Sequence, residues 1–346
     1  MRCRWLVNSG NNNSHGGKYL FVPPSYQGDL PPSGYFVIRM QTYGGWFLAR
    51  AFLTPDGDAT QANALLRKVR IYPLAATDSP PPMTYVEATG KVFDSTAPND
   101  IRYFEMLADL VTHEHPQVID AEVSGMMKTI GIEPAKAFAP DERLKGILEE
   151  AAKISSFMAL TISYSPRKPE RVRSGSQWMA GLEGYPNFND GRSTLIDPMI
   201  YMTWFATGAA KAMNAPKPGT GSQYAWTYHD SDGKWLLGEK NYRFRIPANP
   251  PAKDFWSIVI YDNWSRAILA NGQKVASKNS YDKSIKPNAD GTIDIYFGDK
   301  PPLGNESNWI RTVPGVGWFA LFRLYGPLQP WFDRSWVPND ICAVKD

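Results

Sequence analysis

The chain has two cysteines in 346 residues, Cys3 and Cys342, so neither a disulfide framework nor an all-cysteine zinc or iron–sulfur site can be built from it. A single bridge between those two stays open. Histidine is almost as scarce, at four. His113-Glu114-His115 sets two of them at i and i+2, which point to nearly opposite sides of a helix and cannot share an ion there. They read as a solvated helix end before Pro116, and His15 and His229 offer no zinc-type spacing. His229 lies in Tyr228-His229-Asp230-Ser231-Asp232-Gly233, a turn, with a lone general base as the sharper alternative. No metal and no cofactor are expected.

Charge of one sign is lacking as well: 37 basic against 34 acidic residues give +3, which excludes a polybasic nucleic-acid binder and an acidic disordered chain. No apolar run approaches a membrane span, and the stretch Ser156 to Ile162 is far too short. Trp5 to Val7 passes at once into Asn8, Ser9 and Gly10, which leaves no core for a signal peptide. These absences predict a soluble, cytoplasmic chain that meets a small-molecule ligand, no nucleic acid and no membrane. A homo-oligomer stays open.

Catalytic signatures are missing too. No G-x-S-x-G elbow occurs, and the S-x-x-K pattern falls in loops at Ser165/Lys168 and Ser280/Lys283. There is no G-x-x-x-x-G-K loop, and Gly219-Thr220-Gly221 leads into a strand where a dinucleotide fingerprint needs a helix. Asp230-Ser231-Asp232-Gly233 carries its glycine at position four of a calcium-type loop instead of six, so it reads as a turn.

What the chain does have is aromatic side chains (13%, with 12 Trp) and many turn formers, 28 Gly and 29 Pro. This mixture fits a turn-rich β protein, and the length fits about two domains. Tyr19 to Val22, Tyr35 to Met40 and Trp46 to Leu53 read as strands, and Ala62 to Val69 as a short helix. Pro80-Pro81-Pro82 is the best linker and sets a boundary. Helical periodicity follows from Asn99 to Pro116, from Val118 to Gly131, and from Pro140-Asp141-Glu142 through Leu144 to Leu160. After a basic loop, Ser165 to Arg173, comes an apolar helix from Pro198 to Met213. Period two then returns in Tyr224 to Tyr228, Asn241 to Ile246, Phe255 to Tyr261, Thr292 to Phe297 and Trp318 to Tyr325, five strands at a spacing that suggests a sandwich or jelly roll. The expected class is α+β with β dominant: a partial N-terminal β domain (1–79), a helical segment with connecting loops (80–215) and a C-terminal antiparallel, jelly-roll-like sandwich (216–346).

Candidate chemistry comes from polar residues set among apolar strand positions. Alternation places Arg323 and Tyr325 on one face with Phe319 and Leu321, and a guanidinium there must be paired or face a cavity. Asp294 and Tyr296 share a face of their strand, and Tyr261 ends another. These residues predict a pocket in which Arg323 holds an anionic or carbonyl oxygen while Tyr261, Tyr296 or Asp294 moves a proton; Tyr325, Tyr224 and Trp256 are the substrate-binding candidates beside them. The plainer reading is a structural Arg–Asp pair inside the sandwich. Asp190 and Arg192, in Asn187-Phe188-Asn189-Asp190-Gly191-Arg192, and Tyr201 on the following helix form a second binding candidate, against a loop that only caps that helix.

Several of these segments resemble a known family. Gly221-Ser222-Gln223-Tyr224-Ala225-Trp226, Pro251 to Ile258, Asn288-Ala289-Asp290-Gly291 with Asp294 to Gly298, Asn308-Trp309, and Gly317-Trp318-Phe319 with Arg323 to Pro327 are similar to the signature of a bacterial and viral two-part family, whose halves are known only as domains of unknown function 1254 and 1214. Asn99 to Leu110 and Phe138 to Ala152 resemble its helical middle. Gly17 to Leu20 and Gly28 to Pro31 resemble only the tail of the first domain. The resemblance implies a β-rich, jelly-roll-like second domain and no settled activity. It also implies that Met1 is not the usual start, and that a secretory signal upstream would send the protein to the periplasm or outside the cell.

Taken together, the expected function is metal-independent hydrolysis or lyase chemistry on a small organic molecule bearing a carboxylate or carbonyl. Arg323 would hold the oxyanion and Tyr261 or Asp294 would act as acid or base. The alternatives are a non-catalytic binding module, carbohydrate-binding through flat faces such as Trp235, Trp264 or Trp309, and a structural role.

Overall fold

The structure, a computed structural model, describes residues 17–344 apart from 46, 48, 50, 52–53, 55–57, 89–90, 92–95, 186 and 207–216. The chain divides into two compact units, the first running to Ser156 and the second from Phe157 onward, with the long helix α4 continuous across the division. Among the described residues no helix is long and apolar enough to cross a membrane.

In the first unit, β1 (Tyr19–Val22) and β2 (Phe36–Arg39) form a two-stranded parallel sheet, followed by α1 (Thr60–Leu66). The strand expected at Trp46 to Leu53 falls largely outside the described residues. Helix α2 (Ile101–His113) starts where Asp100 accepts the Arg102 backbone N–H at 3.0 Å, a side-chain cap for an otherwise orphaned donor. Its apolar stripe, Phe104, Leu107, Ala108 and Val111, packs with Ile132 and Phe138 around α3 (Ala121–Thr129). Gly131, at φ +84°, ends that helix in the left-handed conformation glycine adopts freely. Helix α4 (Glu142–Tyr164) begins with Asp141 accepting the Leu144 N–H at 2.7 Å.

The second unit is a sandwich. Its elements are β3 (Glu170–Arg171), β4 (Met179–Gly181), α5 (Ile196–Ala206), β5 (Ser222–Thr227), β6 (Tyr242–Ile246), β7 (Ala252–Asp262), β8 (Ser277–Asn279), β9 (Ile293–Gly298), β10 (Trp309–Arg311), β11 (Trp318–Pro327), α6 (Gln329–Phe332) and β12 (Ile341–Ala343). One sheet has the order β3-β4-β5-β11-β7-β8, the other β10-β9-β6-β12, with β9 and β10 parallel and the remaining pairs antiparallel. The described fold is thus α+β and mostly β, with a helical middle, as the sequence predicts. The expected extension of α5 to Met213 lies outside the described residues.

Period-two alternation decides what lies between the sheets. Trp318, Ala320, Phe322 and Leu324 of β11, with Trp256, Ile258 and Ile260 of β7, face Tyr242, Phe244 and Ile246 of β6 and Ile295 and Phe297 of β9. Burying each large apolar side chain contributes about 1.5–3 kcal/mol. Trp178 and Trp336 close the core and spend their indole N–H groups on the carbonyls of Asn339 (2.7 Å) and Ala248 (3.1 Å). Gly238 is required by close approach, because a Cβ there would lie 1.8 Å from the Val313 carbonyl oxygen. A second cluster covers part of the other face of the six-stranded sheet, where Tyr164, Tyr201, Trp226, Tyr228 and Phe319 are buried with Phe205 of α5 against them.

Candidate functional site

The outer face of the six-stranded sheet carries the sequence-predicted arginine. Cross-strand register places Arg323 of β11 between Tyr224 of β5 and Ser257 of β7, with Tyr325 opposite Ser222 and Phe255, and Phe319 opposite Tyr261. Side chains two apart on a strand share a face, so β5, β11 and β7 present Tyr224, Arg323, Tyr325, Ser257 and Tyr261 together. Arg323 donates from Nη2 to the Tyr261 hydroxyl, and its guanidinium carbon lies 5.9 Å from that ring's centroid. Its Nε is buried with no hydrogen-bond partner, and among the described residues no carboxylate forms an ion pair with it.

Aromatic stacking fixes the surroundings. The Tyr261 ring lies parallel to Phe319 at 5.0 Å, and Tyr325 stacks on Phe255 at 4.1 Å. Gly326, at φ +60°, sits where the β11–β7 register shifts, a bulge that ends the platform just past Tyr325. The Tyr224 hydroxyl bonds to Ser222 Oγ at 2.6 Å. Burial raises the Tyr261 pKa, with the Arg323 charge opposing in part, so near neutral pH the phenol stays protonated and keeps its O–H.

The remaining predicted residues lie elsewhere. Asp294 and Tyr296 project from β9 on the outer face of the other sheet, so the sandwich core separates them from Arg323. Asp294 is buried and paired through both oxygens with Arg245, Nε at 2.7 Å and Nη2 at 2.8 Å. That hydrogen-bonded charge holds its carboxyl below the usual carboxylate range. Asp294 is thus paired on the outer face with Arg245, and not with Arg323 inside the sandwich as the plainer sequence reading has it. Trp256 is 5% exposed and faces the core, one strand position away from the Arg323 side.

Tyr201 is fully enclosed, hydrogen-bonded to the Tyr228 hydroxyl and accepting the Trp226 indole N–H at 2.6 Å. Asp190 accepts the N–H groups of Arg192 (2.8 Å) and Ser193 (2.7 Å) and closes its own loop, with Arg192 exposed at the turn. Those backbone donors lower the Asp190 pKa. His229 packs on Trp235 at 4.4 Å, and the Asp230 carboxylate holds the turn after it through the N–H groups of Asp232 and Lys234. Burial, foremost, lowers the His229 pKa. Ser257 and Ser222 are neighbours of Arg323 that the sequence reading passed over; their period-two spacing from Tyr261 and Tyr224 was the available signal. A separate cleft of about 390 Å³ lies near Glu170, Tyr185, Gln223, Trp331 and Arg334, and none of the predicted residues lines it.

Comparison with known proteins bears on the same segments. A family model described as protein of unknown function (DUF1214) matches residues 221–329, the stretch that includes Tyr224, Tyr261, Asp294, Arg323 and Tyr325. A second, protein of unknown function (DUF1254), matches residues 3–73. No curated protein matches. Among solved structures the chain is similar over 96% of its length to 77% of the VPA0106 protein of Vibrio parahaemolyticus, with a TM-score of 0.52 and 21% identity, a likeness of fold. An uncharacterized protein from Burkholderia cenocepacia matches more weakly, at 13% identity over 60% of this chain and 44% of its own, with a TM-score of 0.26. In order along the chain, the two matched segments correspond to the two domains of the two-part family that combines domain of unknown function 1254 with domain of unknown function 1214.

Proposed function

We propose that the second unit binds a small organic molecule through a carboxylate or carbonyl oxygen at Arg323, and acts on it as a metal-independent hydrolase or lyase with Tyr261 as proton donor. The observation that carries this reading is the Arg323 guanidinium: half-buried and, among the described residues, without a carboxylate partner and with Nε unsatisfied. An unpaired buried donor costs about 1–3 kcal/mol, a cost that a ligand oxygen would relieve. The Tyr261 phenol, kept protonated by burial, would share that oxygen as a second donor, an arrangement suited to charge that develops on it. With Asp294 on the other sheet, Tyr261 is left as the acid, and Tyr224 and Tyr325 frame the ligand.

Thermal melts against small carboxylates and aromatic esters, followed by turnover assays on any class that raises the midpoint, test this. Arg323→Met is expected to weaken binding about tenfold to a hundredfold, the loss of one charged hydrogen bond. Tyr261→Phe keeps the stack on Phe319 and is expected to abolish turnover more than binding. A full ligand response in Arg323→Met would overturn the reading. Trp264 and Trp235, 67% and 45% exposed, favour a second one, sugar stacking by a non-catalytic module, and oligosaccharides in the same screen separate the two.

A further inference from the structure

The other outer face of the sandwich has different chemistry. Along β6, Tyr242, Phe244 and Ile246 enter the core, which turns Arg243 and Arg245 outward. Register sets Arg243 between Tyr296 and Cys342, and Arg245 beside Asp294. The loop after β3 brings Arg173, and the segment before β12 brings Asn339 and Asp340. These residues line a cleft of about 300 Å³, at the small end of the range for small-molecule sites.

Its walls are anchored from behind. Trp178 Nε1 bonds to the Asn339 carbonyl at 2.7 Å, and Asp340 Oδ1 accepts Ser176 Oγ and the Gln177 N–H, both at 2.8 Å. Asn339 Nδ2 in turn bonds to the Arg245 carbonyl at 3.1 Å. The chain therefore holds three guanidinium-bearing positions around one concavity, and like charges gathered this way are unfavourable unless countered. Asp294 counters Arg245. Arg173 and Arg243 have no ion pair among the described residues, and Asp340, the carboxylate in the lining, is hydrogen-bonded to neutral groups. Two guanidinium forks are thus left with donors to spare.

We propose that this cleft binds a phosphate group, either free or as the phosphomonoester of a small molecule. A tetrahedral oxyanion carries one to two negative charges near neutral pH and offers oxygens to both forks at once, whereas the two oxygens of a carboxylate match a single fork. Arg173 and Arg243 supply the contacts, and Arg245, fixed by Asp294, adds its field. The size of the cleft limits the ester to a small alcohol. Cys342 lines the same space, so an occupant shields its thiol. This site lies across the core from Arg323 and is independent of the reading given for that residue.

The test is alkylation of the full chain by iodoacetamide, followed at the Cys342 peptide by mass spectrometry, with inorganic phosphate, glycerol 3-phosphate or chloride at matched ionic strength. Phosphate is expected to slow alkylation in a saturable way that chloride does not reproduce. Arg243→Met and Arg173→Met, both at outward-facing positions, are each expected to weaken that protection about tenfold while leaving the thermal midpoint nearly unchanged. Tighter protection by glycerol 3-phosphate assigns the site to a phosphomonoester, and equal protection assigns it to phosphate itself. Alkylation indifferent to both anions, or protection equally strong in the two variants, overturns the proposal.

Discussion

Tyr228 shows how much a single hydroxyl can hold in this fold. It is buried, meets the Tyr201 hydroxyl and donates to the Ser163 carbonyl at 3.0 Å, while Trp226 Nε1 donates to Tyr201 at 2.6 Å. A strand, α5 and the end of α4 thus converge on two phenols. Tyr228→Phe keeps the ring but strands its partners, and is expected to lower stability by about 1–3 kcal/mol in urea unfolding. Burial raises the pKa of Tyr228, Tyr201 and Tyr164 above the ordinary 10.0. A phenol with a raised folded pKa contributes stability that is fully present below the unfolded value and is lost as pH rises toward the folded one. Urea midpoints are therefore expected to hold from neutral pH to about pH 10 and fall steeply beyond, with a shallower fall in Tyr228→Phe. A slope unchanged by the substitution would contradict this. Tyr201 was a plausible ligand contact in the sequence because nothing there reveals that its hydroxyl is consumed by Tyr228.

Elements were legible in proportion to their length. Trp318 to Tyr325 alternates through eight residues, and the observed β11 contains all of them, whereas β3, β8, β10 and β12 have two or three residues and no period to read. Those short strands exist because longer neighbours offer them an edge to pair with. Helix starts were legible for a different reason, since Asp at the N-cap supplies a local bond that needs no tertiary context. At α4 the Asp141 carboxylate takes the Leu144 N–H at 2.7 Å. Asp141→Ala is expected to cost about 1 kcal/mol, and Asp141→Ser or Asp141→Asn to recover most of it, measured by denaturant unfolding. Equal losses in all three variants would mean that the carboxylate acts by its charge near the helix start instead of by that bond.

At the scale of the molecule, strand order decides which legible residues meet. Arg323, Tyr224 and Tyr261 come together because β11 lies between β5 and β7, while Asp294, on an equally regular strand, is carried to the opposite sheet. Alternation fixes which face of a strand a residue occupies but carries no information about the neighbouring strand, so the site was half readable. The same dependence applies to the extent of the fold. A boundary at residue 216, where period two returns in the sequence, keeps β5 to β12 but omits β3, β4 and Trp178, whose fully buried indole packs on Phe244 and Phe322. A piece from Phe157 retains them, together with Tyr164, whose hydroxyl bonds to the Asn263 carbonyl. Removing a buried tryptophan costs about 3–5 kcal/mol, a large share of the 5–15 kcal/mol that holds a typical domain folded. The 157–346 piece is expected to melt as one cooperative transition by calorimetry. The 216–346 piece, with an open sheet edge at β5 and a hole beside Phe322, is expected to melt broadly or to aggregate. Two equally sharp transitions would show instead that the strands from β5 onward hold their core without help from the residues before them.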